Sequence, residues 1–452
     1  MVFARWYGVS AEMDAFYYAI GIPTFLLVVG SSAIGSVLVP ALAKVPREPG
    51  AGGAGALLGG AALWAGAGAV GLGVALAAVL PAILRQTSSF ANETVDLTQQ
   101  FAFELLPFLA CVASSSALRA GVEIQGRFVW STLSPAIRTV ALLTAAGALR
   151  ALGPQGLPLA MFAGMAVELC WLLAGLWATP LWPAVSVWPT TLAPALVRFA
   201  PVLIGETLVA LNLVVDKIFA ALLPPGSVSL LEYADRARVI PMTLFESSLL
   251  VVAFNAWATA PERDRGLEIT RALRWVLLIA PPILGGLWIG RDVAVALLFE
   301  RGAFLPEHTA PVALAFGVFL PGVMASMLAA LGMKAHVLAD RTMLVLALGV
   351  GAFALNAGLD ALFLQFGIHG LAAATSLTSL VIAIVSLARL APELPRVAWA
   401  GSGSVLVASA VAVLVVEMLG VHPGSLTDVN LWLAAIPFVG LLGFGLRSAR
   451  AL

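Results

Sequence analysis

Charge is scarce in this chain of 452 residues: Asp, Glu, Lys and Arg together make up 11% of it. A soluble globular protein carries about 25%, so the composition excludes a solvated enzyme and a disordered chain. The 24 Lys and Arg residues balance the 24 Asp and Glu residues, which leaves no positive excess for a nucleic-acid partner. Cysteine occurs twice. Cys111 and Cys170 both sit inside apolar runs, which excludes a disulfide framework and a cysteine metal cluster. The four histidines, His308, His336, His369 and His422, fall at loops or helix ends without metal-ligand spacing. No Ser/His/Asp or Cys/His arrangement points to hydrolysis. The Gly-rich run from Gly50 to Gly73 is no phosphate loop, because it lacks both the Lys-Ser/Thr ending and a preceding strand. Its small residues suit close helix packing instead.

Apolar sequence fills the space that charge leaves. Hydrophobic residues make up 61% of the chain, with 12 Trp and 22 Phe against four Tyr, and Trp favours the bilayer interface. A spanning helix needs about 20 mostly apolar residues. Thirteen segments meet that need: 16–43, 56–84, 99–118, 130–150, 156–178, 199–222, 237–258, 271–290, 310–331, 342–364, 367–388, 400–418 and 429–446. The loops between them are too short for a soluble domain. The chain therefore reads as an all-α polytopic membrane protein.

Basic residues orient it. One alternating set of loops holds only Arg5, Arg85, Arg150, Arg236, Arg238, Arg291 and Arg301. Arg138 and Lys217 lie within spans, and the other set of loops holds the rest, from Lys44 and Arg47 to Arg447 and Arg450. By the positive-inside bias the richer set is cytoplasmic. That puts the C-terminus inside and, with an odd number of spans, the N-terminus outside.

The chain also repeats itself. Gly8 to Pro23 reads GVSAEMDAFYYAIGIP and Gly226 to Pro241 reads GSVSLLEYADRARVIP. Gly-to-Pro spacing is the same in both, and Asp14 and Glu232 precede Ile-Pro by the same distance. Six spans separate the copies, so both enter the membrane in one direction. This suggests two parallel six-helix lobes related by an axis along the membrane normal. The span 199–222 precedes the second copy, while only Met1 to Tyr7 precedes the first. Repeat parity and charge bias together lead to the expectation of one further helix upstream of Met1.

At these residues the sequence resembles the MviN/MurJ family of lipid II flippases, in the MATE-like superfamily. The resemblance rests on ARWYGVSAEMDAFYYAIGIP (Ala4–Pro23), LVPAL (Leu38–Leu42), GSVSLLEYADRARVIP (Gly226–Pro241), LLFERGAF (Leu297–Phe304), KAHVLADRT (Lys334–Thr342) and GIHGLAAATSL (Gly367–Leu377). It implies fourteen helices: two six-helix lobes, of which the first here lacks one helix, and two additional C-terminal helices. The corresponding domains are 1–180, 195–390 and 398–452. It implies a multi-pass protein of the bacterial cytoplasmic membrane that moves a lipid-linked peptidoglycan precursor by alternating access, with roles in cell-wall biogenesis and cell shape. Its partners would be the lipid-linked glycan, membrane lipid and proteins of cell-envelope synthesis.

The resemblance also assigns candidate residues. Asp14, Asp235 and Arg236 are candidates for substrate binding, since the YADR arginine of the family faces the cavity. An ion pair at a helix start is the plainer reading of Asp235 and Arg236. Relatives carry an Arg-Arg pair just after the first lobe's Pro, suited to a diphosphate because a guanidinium binds phosphate oxygens bidentately. Here Leu26 to Gly30 is apolar, which implies weaker diphosphate recognition.

Charged residues inside spans are costly and functional by default. Glu104, Arg138, Glu168, Glu206, Asp216, Lys217, Glu246, Asp360 and Glu417 fall there. Glu104, Glu168 and Glu417 sit where they either snorkel to water or serve a function. Asn356 and Asp360, four apart, share a helix face. With Asp216 and Thr375 they offer oxygen ligands of the kind a hard cation takes. The resemblance supports this set, because the four match acidic, Asn-xxx-Asp and threonine positions of sodium-binding members. The only cofactor expected is a sodium ion. The alternative is an Asp216–Lys217 pair plus an ordinary interhelical hydrogen bond.

The residues thus point first to a flippase for lipid II or another undecaprenyl-linked saccharide, second to a non-transporting membrane scaffold of envelope synthesis, and third to an exporter of organic cations. An enzyme is not expected.

Overall fold

A computed structural model describes residues 2–21, 23–25, 38, 42, 53–184, 193–245, 253, 257, 262–394, 400–420 and 428–450. Among these the chain is helical and has no strand. In chain order the helices are α1 (Val2–Tyr7), α2 (Ala11–Ala19), α3 (Ala54–Thr87), α4 (Asn92–Glu104), α5 (Leu106–Ile124), α6 (Phe128–Ala148), α7 (Leu157–Leu176) and α8 (Ala193–Ala220). They continue with α9 (Ser227–Phe245), α10 (Glu262–Ile289), α11 (Arg291–Phe299), α12 (Thr309–Leu338), α13 (Thr342–Phe363), α14 (Gly367–Leu390), α15 (Ala400–Met418) and α16 (Val429–Arg450).

Each span expected from the sequence coincides with helix, except 16–43 and 237–258, about half or more of each of which lies outside the described residues, as do Glu246 and Leu26 to Gly30. Six helical stretches among the described residues are long and apolar enough to cross a membrane, and α4 with α5 makes a seventh. One of the six, Thr342–Leu390, contains two expected spans. Gly367, with φ 65°, turns the chain between α13 and α14, which then pack along each other. The expected span 99–118 is a bent pair: α4 begins earlier, at Asn92, and meets α5 at 42°. Pro107 at the start of α5 has no N–H to continue the α4 ladder, which is the physical reason for a break there.

The residues group into two compact units: residues 2 and 10–228 form one, and residues 3–9 with 229–452 the other. The N-terminal unit packs α3 on α5, α5 on α7 and α7 on α6. Its core joins Leu58, Ala117, Leu118, Val122, Leu172 and Leu176. In the C-terminal unit α12 lies closely against α14. A Cβ at Gly322 would stand 2.5 Å from Ser376 Oγ, so only a glycine admits α14 at that distance. Ser376 Oγ then donates to the Val318 carbonyl at 2.7 Å, and Ser326 Oγ to Ser379 Oγ at 3.0 Å. Small residues and hydroxyl pairs of this kind join helices where lipid gives no hydrophobic drive for association.

Candidate functional site

The repeated segments lie at the starts of helices. Ser10 caps α2, accepting a hydrogen bond from Met13 N at 3.2 Å. Gly8 before α2 has φ 64° and Gly226 before α9 has φ 93°, so the two copies share a left-handed glycine at the same repeat position. An L side chain rarely adopts that conformation.

Asp14, in the N-terminal unit, is 1% exposed, and its Oδ2 accepts a hydrogen bond from Gly226 N at 2.5 Å. In the C-terminal unit the Tyr233 hydroxyl donates to the Gly8 carbonyl at 2.6 Å. Tyr233 also packs against Phe299 in a tilted contact and against Phe304 edge to face, with ring centroids 5.4 and 5.5 Å away. Ala303 N donates to the Arg5 carbonyl at 2.9 Å. Three of the segments that carry the resemblance, ARWYG, LEYADR and LLFERGAF, therefore build one cluster. Asp14 is a buried carboxylate that holds backbone of its own unit.

Asp235 and Arg236 do not pair with each other. Arg236 binds Glu232, one turn back, with Nη2 2.8 Å from Oε1, and its side chain is 59% exposed. Asp235 binds Arg238 at 2.6 Å, and the Arg238 guanidinium lies 4.6 Å from the centre of the Phe319 ring. Neighbours in a helix point to different faces, so each residue pairs one turn away on the same helix, with Glu232 and Arg238 as partners.

Asn356 and Asp360, on α13, are both fully buried, and Asn356 Nδ2 donates to Asp360 Oδ2 at 2.8 Å. Thr375 follows on α14, its hydroxyl donating to the Leu371 carbonyl at 3.1 Å. Asp216 stands on α8 in the N-terminal unit, while the other three residues belong to the C-terminal unit. Next to Asp216, Lys217 Nζ donates to the Tyr17 carbonyl at 2.9 Å. Among the described residues no group of three or more His, Cys, Asp or Glu side chains is arranged to hold a metal ion.

Three further intramembrane carboxylates, Glu104, Glu417 and Glu168, differ in their surroundings. Glu104 is exposed and accepts from Gln100 Nε2 at 2.7 Å. Glu417 Oε1 accepts from Trp288 Nε1 and Arg291 Nη1, each at 2.6 Å. Glu168 is fully buried between Arg119, on its Oε1, and Arg138, 3.1 Å from its Oε2. The C-terminal unit also holds a cavity of about 430 Å³ whose walls are almost wholly apolar, with Leu284, Trp288, Leu320, Met324, Val413 and Leu414 among its lining residues.

A polytopic helical bundle with paired charges inside its spans has the form of a membrane transporter. The fold is similar to that of solved transporters. The structure described as "Lipid II flippase MurJ, inward closed conformation" matches with a TM-score of 0.79 and 18% identity, covering 100% of this chain and 93% of that one. An inward-facing MATE family multidrug resistance transporter of the MOP superfamily matches with a TM-score of 0.64 and 14% identity, covering 84% and 90%. The probable lipid II flippase MurJ of Vibrio cholerae is 25% identical over 379 residues, 80% of this chain and 71% of that relative. The family described as "Lipid II flippase MurJ" matches residues 3–434. The chain belongs to that family, and it is a multi-pass membrane protein of the bacterial inner membrane.

Proposed function

We propose that this chain flips lipid II across the cytoplasmic membrane by alternating access and is not an enzyme. The observation that carries the reading is the family match over residues 3–434. Two features of the molecule support it. The exposed Arg236 guanidinium suits a phosphate-bearing head group, and the apolar cavity suits a hydrocarbon chain.

Sodium is the ion we infer for the C-terminal unit. The Asn356–Asp360 hydrogen bond uses the amide nitrogen and leaves the amide oxygen out of that contact. A carboxylate, an amide oxygen and the hydroxyl of Thr375 on the neighbouring helix are hard oxygen donors. An ion that prefers one arrangement of α13 and α14 would bias the cycle toward it.

The test is reconstitution of the purified chain in liposomes loaded with lipid II on one leaflet, read by the access of an added lipid II-modifying enzyme. Protein-dependent transfer of lipid II supports the reading. Transfer of another undecaprenyl-linked saccharide but not of lipid II, or of neither, overturns it, the latter in favour of a scaffold.

A further inference from the structure

Glu168 lies mid-span, fully buried, with a guanidinium on each carboxylate oxygen. The three charges come from α5, α7 and α6 and sum to one net positive charge. Arg138 is about 15 Å along α6 from Phe128 at 1.5 Å per residue, which is mid-span for a helix of 21 residues. Only the arginines reach the open side of the cluster: Arg119 and Arg138 are 31% and 26% exposed, and Glu168 is 0% exposed.

Their hydrogen bonds use Nη2 of Arg119 and Nη1 of Arg138, the latter also 3.8 Å from Met165 Sδ. The other guanidinium nitrogens make no hydrogen bond among the described residues and are not among the buried atoms that lack a partner, so they lie on the accessible side. Donors of this kind facing hydrocarbon would be left unsatisfied at high cost, and a net charge there costs more. The open side therefore faces water or an anion.

We propose that Arg119 and Arg138, braced by Glu168, form a recognition site for the phosphate groups of the lipid-linked cargo as they pass the middle of the membrane. The depth decides between sources of phosphate. A resident phospholipid keeps its head group at the interface, about 15 Å from the centre of a hydrocarbon core about 30 Å thick. Only a translocated lipid brings phosphate to Arg138. The site rests on the flippase reading and supplies arginine donors from α5 and α6 of the N-terminal unit. Glu168 is a positioning residue here: it holds the two guanidinium groups close against their mutual repulsion and leaves their outer edges to the ligand.

The experiment measures binding of undecaprenyl diphosphate to the full chain in phosphatidylcholine nanodiscs, with undecaprenol and phosphatidylglycerol as controls. Arg138→Gln and Arg138→Lys should weaken undecaprenyl diphosphate binding at least about tenfold, the loss of one charged hydrogen bond, and leave undecaprenol binding unchanged. Lysine keeps the charge but not the forked donors. Should Arg138→Gln fail to fold, labelling of the unmutated chain with phenylglyoxal gives the same answer. Arg119 and Arg138 should react, and undecaprenyl diphosphate should protect them but not Arg85. Equal binding by the variants, arginines that do not label, or loss of phosphatidylglycerol binding alone would overturn the site. Failure of lipid II transfer with arginine-dependent binding intact would sink the flippase reading and not this site.

Discussion

The carboxylate of Asp14 accepts a hydrogen bond from the backbone N–H of Gly226 at 2.5 Å, so the acidic residue of one repeat holds the glycine of the other. Asp14→Ala removes a buried acceptor and strands the Gly226 donor. A hydrogen bond to a charged group contributes about 1.5–3 kcal/mol, and the loss should appear as a lower Tm of the detergent-solubilised protein. Asp14→Asn keeps an oxygen acceptor and should fall between the two. A Tm for Asp14→Ala equal to that of the unmutated chain would remove the structural role.

Tyr233 and Gly8 form the corresponding contact in the C-terminal unit. Tyr233→Phe keeps the ring packing on Phe299 and Phe304 and loses one neutral hydrogen bond, about 1 kcal/mol. Gly8→Ala should cost more, because φ is 64° and the new Cβ would stand 2.2 Å from the Ala303 carbonyl oxygen. Melting temperatures in the order unmutated, Tyr233→Phe, Gly8→Ala are expected; the reverse order of the two variants would contradict the geometry.

Glu168 binds two arginines, Arg119 of α5 and Arg138 of α6. Glu168→Ala leaves both without a counterion, and breaking a buried pair costs about 3–5 kcal/mol. The arginines are partly exposed, so the lower end applies. Adding Arg138→Gln to Glu168→Ala should restore part of the stability, since one of the uncompensated charges is then gone. A double-mutant cycle on Tm checks this. Strict additivity would show that the Arg138–Glu168 contact is not coupled.

If sodium binds between α13 and α14, it stabilises the chain by mass action. Asp360→Ala should abolish the rise in Tm on exchanging a bulky organic cation for sodium at matched ionic strength. Glu417→Ala, which cuts the Trp288 and Arg291 hydrogen bonds, should lower Tm in both salts and keep the sodium increment. No sodium increment in the unmutated chain would end the assignment.

Most of the fold was legible in the sequence because its cause is local. Long apolar runs with few charges have helix as their available form in a bilayer, and the runs from 56–84 to 429–446 are helical wherever they are described. Asn356 and Asp360 meet because their spacing of four is a property of one helix. The repeat showed itself through Gly8 and Gly226, whose left-handed conformations leave a mark in residue type.

Tertiary structure decided which charges meet. Glu168 reads from sequence as a residue equally suited to snorkelling or to function, and Arg119 reads as a loop residue. Only the packing of α5, α6 and α7 places two guanidinium groups on one carboxylate. Asp14 finds its partner 212 residues away. Periodicity reports which face a residue takes on its own helix. It carries no information about which distant helix that face will meet, and charges buried in a low-dielectric interior take their roles from that meeting.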